Sequence, residues 1–265
     1  MWSLLGAAVY PGAIANAADL LDIGLVYPRA NETCEPTDEF PLVFALQNVK
    51  QAEYLEPTIS LRVLNLTKST SDIEVLSDRM HELRWGNVSE NEPYLFWSHF
   101  KVSGEGQIRV IWQAFWSACE EISSYDKRVR NRTENFWVDI EVKNGGQKAD
   151  LVAGTAGDSN DCPNQGVAIN VTTDAREYSG WTNGRQESGT CAVLASPSPT
   201  STSNTCRVKI ETSVVESMEA VDLAKRCRGL NSPAECPEKD EAVTKLAAMS
   251  VPILAALLGT ALFLA

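Results

Sequence analysis

Histidine is nearly absent from this chain: His81 and His99 are the only two in 265 residues. No Cys-x-x-Cys pair occurs, no Gly-x-Ser-x-Gly occurs, and the last twenty residues, Leu246 to Ala265, hold no charge. Each absence removes a class. Without a Cys/His cluster, no zinc-type site competes with disulfides for the cysteines. Gly157-Asp158-Ser159 resembles the nucleophile block of certain esterases, but both histidines lie upstream of it. A Ser-His-Asp relay would have to borrow His81 or His99. His99 sits inside an apolar run and reads as a structural residue.

The uncharged tail has three readings: a membrane span, a removed anchor signal, and a helix merely buried in the fold. A spanning helix needs about 20 apolar residues, so Leu246–Ala265 would serve as a type I anchor, but it lacks a basic cytoplasmic stop. A glycosylphosphatidylinositol (GPI) signal needs small residues at the attachment site, then a polar spacer of roughly 8–12 residues, then an apolar run that is removed. Asp240-Glu241-Ala242 satisfies this, with Val251 opening the tail. So does Asn231-Ser232, although Pro233 is awkward in the third position. At the other end, Trp2–Tyr10 is apolar, Pro11-Gly12 breaks it, and Ala15-Asn16-Ala17 is the small-x-small pattern of signal-peptidase cleavage, despite a leader without Lys or Arg. The expected plan is a signal peptide over 1–17 and a GPI signal over 241–265.

Asn-x-Ser/Thr occurs at Asn31, Asn65, Asn87, Asn131 and Asn170. One such triplet means little; five along one ectodomain imply a glycan-clad surface. Seven cysteines (34, 119, 162, 191, 206, 227 and 236) should mostly pair in an oxidising lumen. Seven is odd, so one thiol stays free, or attachment near Asn231 discards Cys236, or one bond links two chains. A formal charge of −12 repels nucleic acid and anionic head groups.

Period-two alternation dominates the chain. It runs through Ile23, Leu25 and Tyr27; Phe40, Leu42, Phe44 and Leu46; and Ile59, Leu61 and Val63. It continues through Tyr94–Val102, Ile108–Ala118, Phe136–Val142, Val167–Val171 and Cys191–Leu194. This predicts an all-β, immunoglobulin-like antiparallel sandwich over 18–195. Ile108, Val110, Trp112, Ala114, Trp116 and Ala118 share one face of its best candidate for a central strand, and Cys119 ends that strand, placed to staple the sandwich. A Pro/Ser/Thr-rich linker follows over 196–205. A Cys-containing stub over 206–240, a strand and a short amphipathic helix, is too small to bury its own core. A hydrophobic helix ends the chain.

Some features invite chemistry. Trp97 and Trp137 lie on the parity opposite the core residues of their strands, and Trp85 and Trp181 fall in loops, so a sugar-stacking platform is one reading. Core or rim packing is the commoner fate of sandwich aromatics and is preferred. Gly157–Asp161 reads as a turn rather than a calcium loop. Lys127–Arg132 reads as a glycosylated hairpin loop rather than an anion site. Among 35 acidic residues no catalytic pair can be singled out.

Leu25–Arg29, Phe40–Asn48, Trp116–Cys119, Asp150–Ala153, Cys191–Ser196 and Cys206–Ile210 resemble the recurring blocks of an uncharacterised family of fungal secreted, often GPI-anchored proteins. The resemblance spans nearly all of the mature chain and brings no active site or cofactor. It implies a fungal origin, a surface location and six recurring cysteines, similar to Cys119, Cys162, Cys191, Cys206, Cys227 and Cys236. Cys34 is then the odd one, which argues for attachment at Asp240 rather than Asn231. The expectation is a non-enzymatic structural, adhesive or ligand-binding module on the outer plasma-membrane face or in the cell wall. Its partners would be the membrane, through the lipid, and cell-wall glycan, with no nucleic acid. The rival classes are a secreted carbohydrate-active or hydrolytic protein using acidic residues, and a single-pass membrane protein.

Overall fold

The computed structural model describes residues 20–67, 73–82, 93–123, 126–156, 166–182, 185–195, 201–229, 233–234 and 236. The chain is all-β in two facing sheets. The first contains β1 (Leu20–Tyr27), β3 (Thr37–Gln47), β6 (Tyr94–Val102), β9 (Gly166–Thr182) and β10 (Arg185–Leu194) in the order β10-β9-β1-β3-β6, with β11 (Ser201–Thr202) beside β9. The second contains β2 (Thr33–Cys34), β4 (Thr58–Asn65), β5 (Glu74–Glu82), β7 (Gly106–Ser123) and β8 (Asp126–Val142) in the order β2-β8-β7-β4-β5. Pairing is antiparallel except between β2 and β8. Two α-helices, α1 (Leu151–Ala156) and α2 (Thr212–Cys227), and two short 3-10 turns, Val49–Ala52 and Thr205–Arg207, complete the described chain.

Strand β7 is central in its sheet, between β8 and β4. Its alternate residues Ile108, Val110, Trp112, Ala114, Trp116 and Ala118 are all buried. Trp112 is fully buried, edge-on to Phe44 at 5.3 Å across the sandwich and stacked on Phe136 at 4.4 Å. Burying an aromatic side chain of this size contributes roughly 3 kcal/mol. Cys119 on β7 bonds to Cys191 on β10, so this disulfide joins the two sheets.

Strands β1 and β3 are buried on both faces, from Leu21 to Tyr27 and from Phe40 to Leu46. Phe40, Leu42 and Phe44 face the second sheet; Val43 and Ala45 point away and need a second cover. The C-terminal part of the chain supplies it. Ser201–Thr202 pairs with β9 at Ala168 and Val167, and Val208, Ile210 and Met218 join the same hydrophobic core. The linker expected over 196–205 is therefore corrected at its C-terminal end, where Ser203 and Thr205 are buried. A composition rich in Ser and Thr signals a solvated linker only while nothing offers those hydroxyls partners. Here Ser203 and Thr205 bond each other at 2.6 Å and Asp22 takes the Asn204 N–H at 2.7 Å. The strand expected at the start of the 206–240 stub is instead a 3-10 turn, Thr205–Arg207, and its amphipathic helix is α2. Cys227 at the end of α2 bonds to Cys236.

Two further expectations are revised. The basic run Lys127–Arg132 is a strand, not a loop: Lys127 pairs with Glu121, Arg128 with Glu120 and Asn131 with Ser117. On this hairpin Arg130 of β8 forms an ion pair with Glu120 of β7, a cross-strand complement of the kind that supports pairing. Trp181 lies in β9 rather than in a loop. Strand β5 carries no clear apolar alternation because it is an edge strand, exposed at Val75 and Met80. The leader, Trp85, Asn87, Cys162, the Gly157–Asp161 turn, Asn231, Asp240 and the apolar tail lie outside the described residues, as does the side chain of Cys206.

Candidate binding face

The two sheets differ in what covers their outer sides. On the first, the outward indole of Trp97 on β6 is half-buried against α2: its N–H donates to Asp222 at 2.8 Å, and the Lys225 ammonium sits 5.2 Å from the ring centroid. On the second, Trp137 is 62% exposed. The two tryptophans thus lie on opposite sides of the molecule and form no common platform.

Around Trp137 the register builds a flat array. Trp137 on β8 stands opposite Ile111 on β7; Asn135 stands opposite Gln113, Thr133 opposite Phe115, and Asn131 opposite Ser117. These rows are joined by side-chain bonds: Gln113 donates its amide N–H to Asn135, and Ser117 donates to Asn131 at 3.0 Å. In the other direction, Arg109 grips Asp139 with two bonds of 2.7 and 2.8 Å, which raises the guanidinium further above its usual range. Arg62 on β4 does the same to Asp78 on β5, through Nε and Nη2 at 2.9 and 2.6 Å. The charges at the centre of this face cancel in pairs.

A cleft of about 630 Å³ opens at the end of the face, lined by Asn31, Glu105, Asp139, Glu141 and Lys143 among others. Its floor depends on Gly106, whose φ is +151°; a Cβ there would fall 1.6 Å from Oγ1 of Thr67. That same hydroxyl oxygen accepts the Gln107 N–H at 3.0 Å. Asp139 and Glu141 lie on the same side of β8, with Cα atoms about 7 Å apart by strand geometry, so the two acids invite comparison with a glycosidase pair. Such a pair needs one carboxyl kept protonated. Glu141 is held below its usual range, first by its hydrogen bond to Lys143 and then by that ammonium's charge and by Thr33. Asp139 is taken by Arg109, and Glu105 accepts the Asn144 N–H at 2.7 Å.

Carboxyls with raised pKa lie elsewhere and are sequestered. Glu32 is raised by desolvation, against opposing bonds from Arg29 and Tyr27, and burial likewise pushes Tyr27 and the free, buried thiol of Cys34 up. This cluster sits beneath Gly154, where a Cβ would come 2.6 Å from the Tyr27 ring. The histidines do not form a relay. His81 packs 4.3 Å from Phe96 with its pKa lowered by desolvation, then by Arg79 and Lys225, while His99 reaches Asp222 at 3.7 Å. Ser98, next to His99 in sequence, takes its hydrogen bond from Arg79. Among the described residues no group of His, Cys, Asp or Glu is placed to hold a metal ion.

Of the glycosylation triplets, Asn31 is exposed in a left-handed turn with φ 64°, and Asn131 is exposed on the outer face of β8. Asn65 and Asn170 are half-buried at strand positions, and Asn65 Oδ1 accepts the Thr67 N–H at 3.0 Å. The polar set of the binding face was not singled out in the sequence, although Gln113, Phe115 and Ser117 occupy the second parity of the central strand.

Residues 16–236 match the family described as Domain of unknown function (DUF7136). The chain belongs to that family. No curated protein and no solved structure matches it. The DUF7136 match ends at Cys236, the partner of Cys227, so the second disulfide lies wholly within the family's span. Among the described residues no helix is long and apolar enough to cross a membrane.

Proposed function

We propose that this DUF7136 chain is a non-enzymatic ligand-binding module of a fungal cell surface, GPI-anchored and glycosylated, that meets its ligand with the outer face of the β2-β8-β7-β4-β5 sheet. One observation carries the reading: one sheet is covered by the chain's own C-terminal segment, while the other leaves Trp137 62% exposed among side chains already locked to one another. Aromatic side chains are enriched at contact surfaces relative to the rest of a protein's exterior, and here the polar groups around the ring are already fixed. The acids of the adjoining cleft favour binding over hydrolysis, because Glu141 is held ionised by Lys143.

The strand order supports an immunoglobulin-like architecture. β4, β7 and β8 adjoin in the order C-F-G, and β1, β3 and β6 in the order A-B-E, with β9 and β10 added at the A side. The Cys227–Cys236 bond supports Asp240 as the attachment residue, since attachment at Asn231 would discard Cys236 and strand Cys227.

The anchor is tested by treating intact cells with phosphatidylinositol-specific phospholipase C and sequencing the C-terminus of what is released. Release of a chain ending near Asp240 is the expected result. Retention on the membrane with a peptide from beyond Val251 would sink it and favour a single-pass span.

A further inference from the structure

We propose that the outer face of β7 and β8 binds a neutral polysaccharide, with sugar rings laid on Trp137 and hydroxyls received by Gln113 and Asn135. This rests on reading the chain as a ligand-binding module, and it names the ligand class. Three observations converge on it.

The first is the spacing of surface chemistry. Along β8 and β7 the row Trp137/Ile111 is apolar, the row Asn135/Gln113 is amide, and the row Thr133/Phe115 is hydroxyl and aromatic. Same-face residues along a strand are about 7 Å apart, so Trp137 and Phe115 are roughly 14 Å apart with the amides between them. A pyranose chain presents the same alternation of C–H faces, which stack on aromatic rings, and hydroxyl edges, which need hydrogen bonds. The length suits an oligosaccharide stretch rather than a single sugar.

The second is the state of the amides. Gln113 and Asn135 share one hydrogen bond, which uses one donor of the first and the carbonyl oxygen of the second. Each side chain has two N–H donors and an oxygen with two lone pairs. The shared bond fixes both groups and leaves Gln113 an acceptor oxygen and Asn135 its donors. A sugar hydroxyl, both donor and acceptor, satisfies such a pair.

The third is charge. Arg109 is committed to Asp139 and Arg62 to Asp78, each by two bonds. An ionic ligand at the centre of the face would have to break one of these pairs, and a polyanion would also meet a chain of net charge −12. A neutral ligand meets neither obstacle.

The test uses the full chain, purified in detergent from a secretory eukaryotic host, with soluble β-1,3-glucan and mannan as neutral probes and polygalacturonate as the anionic one. Affinity electrophoresis and calorimetry should show binding to a neutral probe that changes less than twofold between 50 and 500 mM NaCl, since no counterions are released. Trp137→Ala should weaken it at least tenfold, and Gln113→Ala about fivefold. Both positions face solvent, and unchanged circular dichroism would confirm that the variants fold. Binding to no neutral probe, or binding unaffected by Trp137→Ala, overturns the proposal. So does self-association in sedimentation that Trp137→Ala abolishes, which would make a second copy the occupant. Binding seen only in Asn131→Gln also overturns it, because the face would then be filled by the chain's own glycan. None of these outcomes alters the phospholipase result, so failure of the ligand and failure of the anchor are separable.

Discussion

The indole N–H of Trp97 donates to the Asp222 carboxylate at 2.8 Å, tying the edge strand β6 to α2 across 125 residues of chain. His99 and Lys225 approach the same carboxylate at 3.7 and 3.4 Å. A hydrogen bond to a charged acceptor contributes about 1.5–3 kcal/mol when partly shielded. Trp97→Phe keeps most of the packing and removes the donor. Urea denaturation should show a loss of about 2 kcal/mol, and Asp222→Asn, which keeps an acceptor, should cost less. Equal losses in both variants would mean that charge, not the indole bond, holds the helix.

Asp22 gives a pH signature. It is 5% exposed on the covered side of the first sheet, its Oδ1 has no partner, and its pKa is raised by desolvation in spite of bonds from Ser203 and Asn204. A carboxyl with a raised folded-state pKa favours the fold below its unfolded value, near 3.8, and loses that contribution as pH rises through the folded value. Asp22→Asn keeps an acceptor for Asn204 and removes the buried charge. The variant should melt higher than the parent at pH 7, with the gap closing below pH 3.8. A gap that stays constant across this range would rule out the titration.

The two disulfides among the described residues should differ in weight. Cys119–Cys191 closes 72 residues and Cys227–Cys236 closes 9. Loop-closure entropy assigns about 4 kcal/mol to the first and nearly 3 to the second. The pair Cys119→Ala and Cys191→Ala should lower the denaturation midpoint more than the pair Cys227→Ala and Cys236→Ala. The reverse order would show that the C-terminal cover, rather than the staple between sheets, governs stability.

Gly106 should not tolerate a side chain. A Cβ there would meet Thr67 Oγ1 at 1.6 Å, and its φ of +151° is one that L-residues rarely adopt. Gly106→Ala should destabilise by about 2–3 kcal/mol, in line with overpacking penalties. Thr67→Gly in the same chain should recover part of the loss, read as a coupling energy in a double-mutant cycle. Additive losses would place the cost in the backbone alone.

Legibility varied with where a residue's energy comes from. The inward parity of β7 was plain because burial alone sets it: six apolar residues at period two have one stable place. Strand β5 was not, since Glu74–Glu82 is exposed along most of its length and forms by pairing with β4. The charges of the Lys127–Arg132 run look solvated in sequence because their partners lie on another strand: the run pairs with β7, where Arg130 meets Glu120. The hairpin of β9 and β10 carries a local signal, the Asn183-Gly184 pair between them, which is a strongly preferred two-residue turn sequence. Packing is the general expectation for Trp137 and for Trp97, which share a parity, and Trp97 does pack; the path of α2 distinguishes them.

By itself the sequence determined the all-β class, the inward face of the central strand and the abundance of cysteines suited to pairing, because period-two burial and residue chemistry are local properties. Tertiary structure alone decided which outer face the described C-terminal segment covers and which leaves Trp137 exposed. That depends on where residues 201–227 return, and the return is fixed by contacts such as Asp22 with Asn204, 182 positions apart, which no local pattern encodes.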